Sequence, residues 1–110
     1  MPNTFKLKTE TGGSTGANTD LLIYTVPSST TTVIIGCTIA NTTASSITID
    51  ATLENNDGDN IKIGLNLPIP SGSSLDILAG KIVMETADVL KIQSDTANSF
   101  DVALSIMEQT

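Results

Sequence analysis

The residue types that most often perform catalysis are scarce in this chain of 110 residues. It has no histidine and one cysteine, Cys37. Without an imidazole, Ser–His–Asp triads, histidine general bases and most zinc sites are excluded. One thiol cannot form a metal cluster or an intrachain disulfide, and its place in the apolar run 32–40 predicts a buried side chain. We therefore predict no catalytic residue and no cofactor, and expect that the protein is not an enzyme.

A glycine-rich segment resembles a phosphate-binding loop in composition only. Its residues are Gly12, Gly13, Ser14, Thr15 and Gly16. A phosphate-binding loop needs a following Lys-Ser or Lys-Thr pair and a helix, and the sequence predicts neither here. We interpret residues 10–19 as a flexible loop or arm, and these five residues as candidates for binding a partner.

An acidic turn is the one place where oxygen ligands cluster in the sequence. Asn56, Asp57, Asp59 and Asn60 could offer oxygens to Ca²⁺, but residues 65–67 stand where a calcium loop needs its bidentate glutamate. We predict no metal site and interpret the turn as a solvated hairpin, with Asp57 and Asp59 as the candidate ligands if a site exists. Asn56, Asp57 and Asp59 are also candidates for partner binding.

Paired carboxylates could in principle hydrolyse a glycosidic bond, since the chain has eight aspartates and four glutamates. Sugar sites usually add aromatic rings for stacking, and the chain has three: Phe5, Tyr24 and Phe100. We interpret the acids as solvated surface charge. A carbohydrate- or calcium-binding adhesion module stays open as an alternative.

The charge balance points away from nucleic acid and membranes. Twelve acids against five lysines, with no arginine, give a net charge of −7. Nucleic acids and anionic membranes are bound through Lys and Arg, so neither is an expected partner, whereas a basic protein surface is complementary. Serine and threonine supply 28 residues, and a hydroxyl-rich face can be buried against another subunit at low cost. Composition therefore favours a structural or interaction protein.

Alternation of apolar and polar residues is the dominant pattern and predicts half-buried strands. The alternating apolar sets are Ile47, Ile49, Ala51 and Leu53; Ile61, Ile63, Leu65 and Leu67; and Phe100, Val102, Leu104 and Ile106. The more continuous runs 21–26 and 33–40 predict central strands, and 5–9 an edge strand. No segment has a helical period over ten residues, so helix content should be near zero.

Turn residues recur about every ten positions, the spacing of a β-sandwich or jelly roll. Asp57-Gly58, between two alternating runs, is the strongest hairpin signal. We predict an all-β fold, a single antiparallel β-sandwich or jelly-roll-like domain of about eight strands. Residues 1–19 would form an N-terminal strand and the flexible arm, and residues 20–110 the sandwich domain.

The order of strands and turns resembles small β-sandwich virion structural proteins of tailed bacteriophages. The likeness covers most of the chain but consists of strand and turn patterns, with no catalytic signature. The residues that carry it are Tyr-Thr-Val-Pro-Ser at 24–28, Thr-Val-Ile-Ile-Gly at 32–36, Ile-Ala-Asn-Thr at 39–42, and the segments 68–75, 81–92 and 101–108.

This resemblance implies a place in the virion, after synthesis in the cytoplasm of a host bacterium. It implies a capsid decoration (cement) protein that stabilises the major capsid lattice, or alternatively a protein of the neck, tail or fibre. The partners would be the major capsid protein or other virion proteins, and we expect a homo-oligomer, with a trimer favoured. The absence of a signal peptide and of an apolar run of about 20 residues agrees with this setting.

Overall fold

The structure, a computed structural model, describes residues 3–11, 16–78 and 80–110. These residues form nine strands in two antiparallel sheets and contain no helix, which confirms the predicted all-β sandwich. The strands are β1 Asn3–Thr11, β2 Leu21–Thr25, β3 Thr31–Asn41, β4 Ile47–Glu54, β5 Asn60–Ile69, β6 Ser74–Asp76, β7 Ile82–Met84, β8 Val89–Ser94 and β9 Phe100–Gln109.

Sheet A contains β1, β9 and β3 in that order, and the far side of β3 pairs with both β6 and β7. Sheet B has the order β2, β8, β4 and β5. The central position predicted for residues 33–40 is confirmed, as is the edge position of residues 5–9. The central position predicted for residues 21–26 is wrong, because β2 pairs only with β8 and leaves Leu22 57% exposed.

The core lies between the two sheets and is built from every second residue of the long strands. Along β9, Val102, Leu104 and Ile106 are buried and the residues between them face outward. Ile49 on β4 is fully buried, in agreement with the alternation. Each such aliphatic side chain contributes about 1.5–3 kcal/mol to folding, so these strands hold the sheets together.

Strand β5 departs from its predicted pattern. Ile61 and Leu65 were expected to face inward, but they are 51% and 58% exposed. The pairing of β4 with β5 shifts register on both sides of Ala51, and Asn66 adopts a positive φ of 54° and donates its N–H to Asp50 Oδ1 at 2.8 Å. Such bulges, common on edge strands like β5, turn side chains such as Leu65 away from the regular alternation. Ile61 keeps its register opposite Leu53 and is exposed because it lies near the end of this edge strand.

The acidic turn forms the β4–β5 hairpin loop, as predicted. Gly58 has a φ of 89°, a conformation that glycine adopts without strain. The side-chain oxygen of Asn55 accepts hydrogen bonds from the backbone N–H of both Asp57 and Asp59, at 3.0 Å each. The loop is thus closed by its own side chain.

The two ends of the sandwich are named here after β1. At the Asn3 end lie Asn3, its pairing partner Gln109 and the β4–β5 hairpin loop; at the Thr11 end lie Thr11 and its partner Asp101. The first residue of β2, Leu21, also lies at the Thr11 end, where it pairs with β8.

Candidate interaction surface

The pairing register of sheet A places apolar side chains side by side on its outer face. Phe5 lies opposite Met107, Met107 opposite Val33, and Val33 opposite Val83, so one row crosses β1, β9, β3 and β7. Neighbouring strands are about 4.8 Å apart, so the row is about 15 Å long. Together with two neighbours it forms what we call the apolar stripe: Phe5, Leu7, Val33, Ile35, Val83 and Met107.

The apolar stripe is open to solvent in the single chain. Phe5 is 73% exposed, Leu7 64%, Val83 62% and Ile35 43%. Ile35 reaches the outer face at a bulge, where the pairing of β3 with β9 shifts between Ile34 and Gly36. A contiguous apolar patch on a soluble protein usually marks a binding surface, whereas isolated exposed apolar residues do not. The stripe is therefore the leading candidate for an interface.

Toward the Thr11 end, the outer face of sheet A forms a shallow acidic hollow. It has a volume of about 580 Å³ and is lined by Thr9, Glu10, Thr11, Thr38, Ala40, Asp101, Val102 and Ala103. Alanines at two of the lining positions leave the space open. Of the lining residues, Asp101 presents its carboxylate on this outer face and none is a lysine, which suits a positively charged side chain.

A buried polar network joins the two sheets near the Asn3 end. The Tyr24 hydroxyl of sheet B donates a hydrogen bond to Glu108 Oε2 of sheet A and also lies 2.8 Å from Thr32 Oγ1. Lys6 Nζ of β1 lies 2.7 Å from Glu108 Oε1. The network therefore connects β1, β2, β3 and β9 through a carboxylate that is nearly inaccessible to water.

The same contacts perturb the two acidic groups in opposite directions. The hydrogen bonds from Lys6 and then Tyr24 hold the pKa of Glu108 below its ordinary value. Burial, together with the bond to the Glu108 carboxylate, raises the pKa of Tyr24 to about 12. At neutral pH Glu108 is thus charged and Tyr24 is a neutral donor, which is the pairing that the geometry requires.

Cys37 is buried in the core, which confirms the prediction for its side chain. Burial and, to a smaller extent, the negative charge of Asp76 raise the pKa of the thiol to about 12. The reactive thiolate is therefore not populated at neutral pH, and the geometry offers no redox or nucleophilic chemistry here.

The residues predicted for calcium or partner binding in the acidic turn are exposed, and the structure does not place them beside the apolar stripe, which lies on the other sheet. Asn56 donates its backbone N–H to Asp88 Oδ1 at 2.9 Å, while the Asp57 and Asp59 side chains lie at the loop tip. Within residues 3–11, 16–78 and 80–110, no three His, Cys, Asp or Glu side chains converge on a metal position. That the chain has no metal site, with Asp57 and Asp59 as the candidate ligands if one exists, stays a prediction.

The glycine-rich candidates fall largely outside the described residues. Nothing is described for Gly12, Gly13, Ser14 and Thr15, and Gly16 is exposed. Two residues further on, the Asn18 N–H donates to the Ser94 carbonyl at 2.7 Å, which fastens the chain to the Thr11 end. Partner binding by this segment also stays a prediction.

The apolar stripe was missed at the sequence level, although two signals pointed to it. Val33 and Ile35 break the alternation of β3 and make both of its faces apolar, which is typical of a strand covered on both sides. In β1, Phe5 and Leu7 alternate with lysines, a pattern that indicates one apolar and one polar face. Neither signal reveals that these residues meet, because that depends on strand pairing.

Two solved structures resemble the whole fold at low sequence identity. One, from Bacillus endospore appendages described as a novel family of disulfide-linked pili, matches with a TM-score of 0.58 and 15% identity, over 99% of this chain and 87% of the other. A chain from infectious bursal disease virus, Gx strain, matches with a TM-score of 0.50 and 14% identity, over 96% of this chain and 33% of the other. No protein-family model and no curated protein matches the sequence.

These similarities extend to the fold and no further. The β-sandwich is shared with a chain from a family of disulfide-linked pili and with a chain from a virus. The resemblance to virion proteins therefore holds at the level of the sandwich, and its narrower form, decoration of a tailed-phage capsid, is a matter for proposal. Within the described part of the chain there is also no helix that could span a membrane.

Proposed function

We propose that this protein is a virion structural protein that decorates the capsid of a tailed phage, bound to the major capsid protein through the outer face of sheet A. The observation that carries the proposal is the apolar stripe, which crosses four strands and is left uncovered by the chain itself. A contiguous apolar surface of this kind is characteristic of a site that binds another protein.

The charges beside the stripe specify the kind of partner. The chain carries −7 and no arginine, and the carboxylate of Asp101 faces the hollow next to the stripe. A fitting partner presents an apolar ridge with lysine or arginine beside it, so that the cation enters the hollow as the ridge covers the stripe. A second copy of the chain fits this face poorly, since it would bring like charge against like charge.

Two observations support the virion setting. The strand and turn pattern resembles tailed-phage virion proteins, and the fold is similar to that of a chain from a virus. A sandwich that belongs to an ordered lattice needs one broad docking face, and the outer face of sheet A provides one.

The proposal is tested by binding purified protein to capsids that lack it and measuring the bound fraction by sedimentation. Val83→Asp, in the stripe, should abolish binding because it places a charge in the covered surface. Leu22→Asp, on the outer face of sheet B, is the matched control, since Leu22 is 57% exposed and Val83 62%. Equal binding by the two variants would contradict docking through sheet A, and a handful of copies per particle would contradict decoration.

The second candidate is a subunit of a fibre, neck or tail. It is favoured by the match to the pilus protein, which covers 99% of this chain and 87% of the other. Low copy number in particles, or filaments of the purified protein seen by electron microscopy, would select this candidate over decoration. The adhesion alternative has less support, because the hollow is lined by no aromatic ring and the described acids form no metal cluster.

A further inference from the structure

Strand β1 is attached to the sandwich almost entirely through its neighbour β9. All nine of its residues, Asn3–Thr11, pair with β9 in unbroken register, and none of them is buried. Its inward positions are Thr4, Lys6, Lys8 and Glu10, so it adds no apolar side chain to the core. A backbone ladder with β9 and the ion pair of Lys6 with Glu108 hold β1 in place.

Strand β9, by contrast, requires a neighbour on the side where β1 lies. Its inward residues Val102, Leu104 and Ile106 belong to the core, so β9 cannot leave the sandwich. Without β1 it would present a ten-residue edge of unpaired N–H and C=O groups, which invites pairing with other chains. Glu108 would also lose the cation that compensates its buried charge.

Neither of these attachments depends on which copy of the chain supplies β1. A backbone ladder is the same within a chain and between chains, and Lys6 reaches Glu108 from any strand in the same register. Charge also favours the pairing of β1 with a second copy of the chain, because Asn3–Thr11 has two of the five lysines and one of the twelve acids. The strand carries +1 and the remainder of the chain −8, so β1 is attracted to the body of a second copy as it is to its own.

The connection from β1 to β2 is longer than its path requires. Thr11 and Leu21 both lie at the Thr11 end, on edge strands of the two packed sheets. Packed sheets are about 10 Å apart, whereas the six residues 12–17 that precede the Asn18–Ser94 hydrogen bond can span about 20 Å when extended. The chain length therefore allows β1 to reach the β9 edge of an adjacent molecule.

We propose that β1 is exchanged between copies of this chain, so that each β1 pairs with β9 of a neighbouring copy in the same register and places its Lys6 on that copy's Glu108. Reciprocal or cyclic exchange gives a closed oligomer, and open exchange gives a filament. The exchange links copies to one another and does not depend on capsid docking, which uses the outer face of sheet A and a different protein.

The test uses the register of β1 and β9 to trap the exchange as a disulfide. Leu7 and Ser105 are directly opposed and both face outward. Full-length Leu7→Cys and Ser105→Cys chains that differ in tag size are produced together, oxidised and separated without reductant. Exchange predicts an abundant disulfide between the two different chains, because their thiols meet only when β1 of one copy pairs with β9 of the other. The native Cys37 does not form a disulfide in this experiment, because its thiol is buried.

The matched control combines Leu7→Cys with Asp101→Cys, another exposed position on the same face of β9. Asp101 pairs with Thr11, four residues away from the Leu7 position and about 13 Å along the strand. Exchange predicts a mixed disulfide several-fold more abundant with Ser105→Cys than with Asp101→Cys. Equal amounts in the two mixtures, combined with a purely intrachain disulfide in a Leu7→Cys, Ser105→Cys double variant, would overturn the proposal, whether or not the protein binds capsids.

Discussion

The outer faces of the two sheets are both uncovered in the single chain, yet they are built differently. On sheet B the long polar side chains bond to one another: Lys91 Nζ lies 2.8 Å from Glu54 Oε1, and Gln93 Nε2 donates to Asp50 Oδ2 at 3.3 Å. Even Thr52, which the register places on this face, is buried and accepts a bond from Lys62 Nζ at 3.1 Å. On sheet A the corresponding area is the apolar stripe.

The contrast shows that exposure alone does not identify a binding face. Sheet B also has exposed apolar residues, Leu22, Ile61 and Leu65, but they lie on its two edge strands, β2 and β5, with the polar network between them. Those of sheet A are opposed across adjacent strands and are therefore contiguous. Continuity, which pairing produces, separates a face suited to water from one suited to a partner.

The largest expected effect distinguishes the inner from the outer face of the same sandwich. Ile49→Asp should leave the protein unfolded, because burying an unpaired carboxylate costs several kcal/mol, comparable with the whole stability of about 5–15 kcal/mol of a domain. Val83→Asp in the stripe should change stability by less than about 1 kcal/mol. Circular dichroism and urea titration measure both. A cooperative, folded Ile49→Asp protein would mean that the inner face is misassigned.

The next effect concerns binding. Phe5→Ser should weaken attachment to the capsid partner about tenfold or more, since a ring covered at an interface core contributes about 1.4 kcal/mol or more. Leu22→Ser, the control on sheet B, should leave affinity unchanged. Quantitative sedimentation with both variants gives the ratio. If Leu22→Ser weakened binding as much as Phe5→Ser, the distinction between the two outer faces would fail.

The buried network predicts two losses of stability with pH. The pKa of Glu108 is lower in the folded than in the unfolded chain, so its contribution is present above the ordinary carboxyl pKa of about 4.3 and disappears as pH falls through the folded value. The pKa of Tyr24 is raised to about 12, so its contribution is complete below the ordinary value of about 10 and decreases as pH rises above it.

These losses are measured by thermal melting between pH 2 and 7, with Lys6→Met compared against Lys8→Met. Lys6→Met should weaken the acid dependence, because it removes the main cause of the lowered Glu108 pKa, while Lys8 contributes least of the causes. Tyr24→Phe should reduce the alkaline loss in melts above pH 9 without abolishing it, because the pKa of the buried Cys37 thiol is also raised to about 12 and contributes a loss in the same range. Identical acid profiles for the two lysine variants would show that the Lys6–Glu108 pair has no role in stability.

The smallest effect belongs to the polar network of sheet B. Lys91→Ala removes an ion pair whose partners are 14% and 38% exposed, and we expect a loss of about 1 kcal/mol or less in the free energy of unfolding. Partner affinity should stay unchanged. A marked loss of affinity on titration of this variant would move the interface to sheet B.

Much of the fold was predictable because its signals are local. The alternation in β4 and β9 identified the buried residues correctly, and Asp57-Gly58 identified the hairpin loop. The errors occurred where pairing overrides alternation. Strand β2 is an edge strand despite its apolar run, a bulge turns Leu65 of β5 outward, and Ile61, although opposite Leu53, is left exposed near the end of the edge strand β5. A bulge depends on what lies on the neighbouring strand, which the pattern of one strand does not contain.

The amino-acid sequence by itself determined the two-sided strands, the aliphatic core and the acidic, hydroxyl-rich character, because each follows from residue type and a two-residue period. Only the tertiary structure decided which side chains of those faces lie next to one another. Phe5, Met107, Val33 and Val83 form one row only because β1, β9, β3 and β7 pair in that order, and Tyr24 meets Glu108 across 84 positions of sequence. Periodicity is a local property of the chain. Strand order instead depends on contacts between residues that are far apart in sequence, and the order that forms is the one that buries the whole core.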